Sequence, residues 1–163
     1  MRRFALLFVA LALVAAGPAA AVNVFWTSVG SAGTVDPASV VPFYNGAAIQ
    51  YPAASTATQP IIVRYNVTDT NLNNDPAWTT LEVGTAGIAA TDTVQVTLFS
   101  VGMCSETITE VCQVVITGSP ICPAECQFSS STFDFSTHAY FIQAVLSRTS
   151  TSVNPQLFYL SIH

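Results

Sequence analysis

Four cysteines, Cys104, Cys112, Cys122 and Cys126, lie close together in the second half of the chain. No two are separated by the two residues that zinc ribbons and thioredoxin-type redox pairs need, so their spacing favours disulfides over metal or redox chemistry. The short loops favour Cys104 with Cys112 and Cys122 with Cys126; the crossed pairings stay open on spacing alone. Asp134, Ser136 and His138 alternate along the chain and would share one face of an extended segment. Their types suggest acyl-transfer chemistry, but neighbours on one face of a strand sit about 7 Å apart, beyond hydrogen-bond reach. No GxSxG turn is present to expose a nucleophile. His138 therefore reads as a polar residue at a strand end. Glu106 and Glu110 flank an inter-cysteine loop and read as solvated acids. His138 and His163 are too few to build a histidine metal cluster.

The segment Asp69-Thr70-Asn71-Leu72-Asn73-Asn74-Asp75 is the richest in side-chain oxygens. Asp69, Asn71, Asn73 and Asp75 recur at every second residue, a donor set for a hard cation such as calcium. The start resembles the first half of an EF-hand loop. Asn74 stands where that loop needs Gly, and Thr80 where it needs a bidentate Glu. The competing reading is a turn whose Asx side chains bond their own backbone. Trp78 follows directly and could stack on a sugar ring; otherwise it caps the core, an ambiguity that Trp26 shares. Asn66-Val67-Thr68 fits an N-glycosylation sequon, a pattern common by chance.

The charge balance narrows the functions further. The 163 residues carry four Lys or Arg against nine Asp or Glu, a net charge of -5, and only 8% are charged. A nucleic-acid partner is excluded because no basic face can neutralise phosphates. Arg2 and Arg3 precede an apolar run from Phe4 to Ala16, then Gly17-Pro18 and three alanines. That run is too short for a membrane span and matches a secretory signal at residues 1–21, cut after Ala21. The remaining chain has only Arg64 and Arg148 as bases, no Lys, and no membrane span. A secreted, extracellular or periplasmic location follows from this reading. A hydroxyl-rich surface with few charges also leaves self-association open.

Elements that could position these residues show a period of two. Ile61, Val63, Tyr65 and Val67 alternate with Ile62, Arg64, Asn66 and Thr68; Tyr140, Ile142, Ala144 and Leu146 alternate with Phe141, Gln143 and Val145. Turn signals at Asn45-Gly46, Asp75-Pro76 and Asn154-Pro155 punctuate the runs. Strands are expected near 23–29, 46–51, 60–69, 79–86, 92–102, 111–118, 128–134, 139–148 and 156–163, the last two as a hairpin. The expected fold is all-β: one antiparallel β-sandwich of seven to nine strands over residues 22–163, immunoglobulin-like or jelly-roll-like, stapled by disulfides.

Catalytic groups are scarce on such a scaffold, so the chain is expected to be a secreted, non-enzymatic surface or interaction module. Phe99, Phe141 and Tyr159 are its outward-facing contact candidates. Its partner would be a protein or a surface glycan. The alternative is a glycan- or calcium-binding module using Trp78 and the Asp69–Asp75 loop.

Overall fold

The computed structural model describes residues 24–69, 76–118 and 123–163. The expected signal peptide at 1–21 lies outside them, as do Asn71, Asn73, Asp75 and Cys122. Among the described residues eleven strands form: β1 (Trp26–Val29), β2 (Thr34–Val35), β3 (Phe43–Asn45), β4 (Ala48–Gln50), β5 (Ile61–Val67), β6 (Thr80–Ala86), β7 (Thr93–Gly102), β8 (Ile108–Thr117), β9 (Ala124–Gln127), β10 (His138–Ser147) and β11 (Gln156–Ile162). They make two sheets, all of whose pairs are antiparallel. One has the order β3-β4-β11-β6-β9 with β1 also on β11; the other is β2-β5-β10-β7-β8. The chain is thus an all-β sandwich. Among the described residues, no helix is long and apolar enough to cross a membrane.

Alternation places the core where expected. Ile61, Val63, Tyr65 and Val67 of β5 face Leu81, Val83, Leu160 and Ile162 of the opposite sheet through one contiguous buried cluster. A register shift between Leu157 and Tyr159 turns both Leu157 and Leu160 inward, although they stand an odd number of positions apart. Gly30 has no room for a side chain, because a Cβ there would sit 1.9 Å from the Leu157 carbonyl oxygen. Gly46, at φ +58°, takes the first central position of the two-residue turn joining β3 to β4.

Three expectations are corrected. Residues 139–148 and 156–163 do form strands, but in different sheets, so they are no hairpin. The connection between them is long enough to cross from one layer to the other, and buried groups anchor it. Arg148 Nε donates to the Ala57 carbonyl at 2.9 Å, its Nη2 to the Ser55 carbonyl at 2.5 Å and its Nη1 to Asn154 Oδ1. Its guanidinium also lies 4.1 Å from the Tyr51 ring centre. Thr149 N donates to the buried Asp92 carboxylate at 2.9 Å.

The strand expected at 128–134 is instead β9, at Ala124–Gln127, and 128–134 is a loop. Its phenylalanines point into the end of the core rather than alternating across a sheet. Finally, Cys112 pairs with Cys126, and Cys104 is an exposed free thiol, so neither Cys104–Cys112 nor Cys122–Cys126 forms. Proximity in sequence misled because Cys112 lies in β8 and Cys126 in β9, edge strands of opposite sheets. The bridge therefore joins the two layers.

Candidate functional site

Trp78 is completely buried. Its Nε1 donates to the Val24 carbonyl at 3.0 Å, and its ring meets Phe133 edge-on with centroids 5.0 Å apart. Phe135, Phe128 and Tyr140 complete the aromatic plug around Phe133. The Trp78 ring is therefore unavailable to a ligand, and the expectation that it stacks on a sugar is corrected. Trp26 is likewise in the core. Of the oxygen-rich loop only Asp69 is described, half-buried. Among the described residues, no three His, Cys, Asp or Glu side chains gather closely enough to hold a metal ion.

Residues 134–138 form a turn rather than an extended run. Thr137 N and His138 N both donate to the Asp134 carbonyl, at 3.3 and 3.0 Å. The Asp134 carboxylate accepts from the Ser136 hydroxyl and backbone N–H on Oδ1, at 2.5 and 2.9 Å, and from the Thr137 hydroxyl on Oδ2 at 2.5 Å. The Ser136 and Thr137 hydroxyls hold its pKa down at about 2. The Ser136 hydroxyl is committed to Asp134, and His138 Nδ1 contacts Thr137 Oγ1 at 2.8 Å. The three residues do not assemble a nucleophile–base pair.

The outer face of the five-stranded sheet brings together residues that are distant in sequence. Register puts Arg64, Gln143, Thr97 and Gln113 in one row across β5, β10, β7 and β8. The adjacent row is Asn66, Phe141, Phe99 and Glu110. Phe99 and Phe141 stack with centroids 5.0 Å apart and planes 22° from parallel, half-buried. Arg64 is held at both ends: Nη1 pairs with Asp36 Oδ2 at 2.8 Å, and Nε donates to Gln143 Oε1 at 3.2 Å. Asp36 itself has a lowered pKa, through the Ala38 backbone N–H first and the Arg64 guanidinium second. Gln113 Nε2 donates to the buried Thr97 Oγ1 at 3.2 Å. The face is an apolar ridge beside a band of amides, hydroxyl and one neutralised guanidinium. Four strands at about 4.8 Å spacing give each row a length of about 14 Å.

Tyr159, the third contact candidate, is on the outer face of the other sheet. Its hydroxyl donates to Glu82 Oε1 at 2.5 Å. Sequence patterning identified Phe99 and Phe141 singly. Their pairing, and the alignment of Arg64 with Gln143 and Gln113, depended on a strand register that no local pattern specifies.

No protein-family model and no curated protein matches the chain. Several solved structures resemble it. Carbohydrate-binding module CBM36 in complex with calcium and xylotriose gives a TM-score of 0.48 at 15% identity, covering 85% of this chain and 99% of that one. A CBM36-1 domain of a multidomain xylanase, from the hindgut metagenome of Trinervitermes trinervoides, gives 0.45 at 11%, covering 85% and 96%. The xylan-binding module CBM15 gives 0.48 at 10%, covering 86% and 95%. These are likenesses of layered β architecture, and the fold assignment rests on the strand pairing above.

Proposed function

We propose that this chain is a non-catalytic module of the cell exterior that holds an uncharged glycan chain on the outer face of its five-stranded sheet. One observation carries the reading: the Asn66–Phe141–Phe99–Glu110 row lies directly beside the Arg64–Gln143–Thr97–Gln113 row. A pyranose presents an apolar C–H surface and a rim of hydroxyls. The phenylalanine ridge supplies apolar contact, and the amides, carboxylate and guanidinium supply donors and acceptors to the rim. Asp36 already neutralises Arg64, which favours an uncharged chain over a polyanion. The signal-like segment at 1–21 and the inter-sheet disulfide support an extracytoplasmic setting.

Calorimetric titration with xylo- and cello-oligosaccharides, followed by a wider panel of neutral glycans, tests the proposal. Binding should weaken at least about tenfold in Phe141→Ala, equivalent to about 1.4 kcal/mol. Full binding retained in Phe141→Ala, Phe99→Ala and Gln143→Ala would remove this face from the function.

A further inference from the structure

The turn that disables a triad at His138 prepares that side chain for something else. Asp134 Oδ2, as an ionised carboxylate, only accepts, so the Thr137 hydroxyl spends its proton on it. Thr137 Oγ1 is then left as an acceptor toward His138 Nδ1, 2.8 Å away. The proton of a neutral imidazole must therefore sit on Nδ1, which leaves the Nε2 lone pair available for a ligand. This is the carboxylate-to-imidazole support that fixes metal-binding histidines elsewhere in chemistry, here relayed through one hydroxyl.

His138 lines a depression of about 310 Å³ together with Gly102, Met103, Cys104, Ser105 and Thr137. The tip of the β7–β8 hairpin is tied to the turn: Met103 N donates to the Thr137 carbonyl at 3.0 Å, and Gly102 lies opposite His138 in the ladder. The residues that line the depression thus include a thiol, a thioether and a tautomer-fixed imidazole. Among the described residues, no carboxylate lines it. Among the described residues, Cys104 is a free, exposed thiol outside the Cys112–Cys126 bridge.

We propose that this depression is a binding site for a soft monovalent metal ion of the Cu(I) class, held by Cys104 Sγ, Met103 Sδ and His138 Nε2. Sulfur ligands select Cu(I) over harder ions, whereas zinc would want, beyond Cys104 and His138, further Cys, His, Asp or Glu ligands that the described residues do not supply. Binding replaces the Cys104 S–H proton by the metal: the S–H bond breaks, an S–Cu bond forms and one proton leaves to solvent. No electron is transferred.

The test uses the full chain with its disulfide intact, anaerobically, with Cu(I) supplied as its acetonitrile complex against a chromogenic Cu(I) chelator. One equivalent should bind, with a thiolate-to-copper ultraviolet band. Cys104→Ser and His138→Phe should each lower the affinity at least about 100-fold, while Thr137→Val, which keeps all three ligands, should lower it about tenfold. In the same Thr137→Val variant, nitrogen NMR should show His138 losing its single tautomer. Several outcomes would overturn the site: no bound copper, unchanged affinity in Cys104→Ser, tighter binding of zinc than of Cu(I), or Cys104 found in a disulfide by mass spectrometry. Because Cys104 is exposed, Cys104→Ser should keep the wild-type circular dichroism spectrum, so loss of copper there is not loss of fold.

Discussion

Phe99 on β7 and Phe141 on β10 face each other across the ladder, with ring centres 5.0 Å apart, and Asn66 is the next residue along the same row. That juxtaposition bears on the sequon Asn66-Val67-Thr68. Asn66 is exposed, so a glycan attached there would lie over the phenylalanine ridge. Protein made in a glycosylating host and modified at Asn66 should lose oligosaccharide binding, and enzymatic deglycosylation should restore it. Equal affinity in the two forms would argue against the face.

Trp78 makes the opposite prediction. Its ring fills the end of the core against Phe133, so truncation creates a cavity. Trp78→Ala should cost about 3–5 kcal/mol of unfolding free energy by denaturant titration. Trp78→Phe should cost less and leave ligand affinity unchanged.

The Cys112–Cys126 bridge closes a loop with a sequence separation of 14 and joins the two sheets at one edge. Replacing both by Ala should lower stability by about 3 kcal/mol. Cys104→Ser should leave the unfolding midpoint within error. Peptide mapping under non-reducing conditions should recover 112 linked to 126.

The pKa of Asp134 lies at about 2, against an ordinary 3.8, because the Ser136 and Thr137 hydroxyls bond its charged form. A carboxylate depressed in the folded state stabilises the turn above pH about 4 and loses that contribution as pH falls through about 2. Carbon NMR of the Asp134 carboxyl should titrate with a midpoint near 2. In Ser136→Ala the midpoint should rise toward 3.8.

Calcium should leave the thermal midpoint unchanged, since the Asp69–Asp75 segment lacks the Gly and Glu that complete an EF-hand loop. A rise of several degrees that chelation reverses would instead assign a cation site to that segment.

Much of the fold was legible because β5 and β10 alternate cleanly, and one buried face demands a period of two. The short strands β2 and β3 were not, because two or three residues carry no period. The strand expected at 128–134 is a loop because Phe128 and Phe133 serve the plug around Trp78. The hairpin error arose because sequence adjacency says nothing about which layer a strand joins. Here the buried Arg148 and Asp92 anchor a crossover, and only their distant partners, Ser55, Ala57 and Thr149, reveal it. The disulfide failed for the same reason. The candidate site was half legible: Phe99 and Phe141 could be assigned to the outer face, but the row formed by Arg64, Gln143 and Gln113 exists only through register.

The most direct measurement is a nitrogen–proton NMR titration of isotopically labelled protein with a neutral oligosaccharide. Shifts should concentrate at Asn66, Thr97, Phe99, Glu110, Phe141 and Gln143. Shifts confined to Tyr159 and Glu82 on the opposite sheet, or none across a broad panel of glycans, would contradict the proposed binding face.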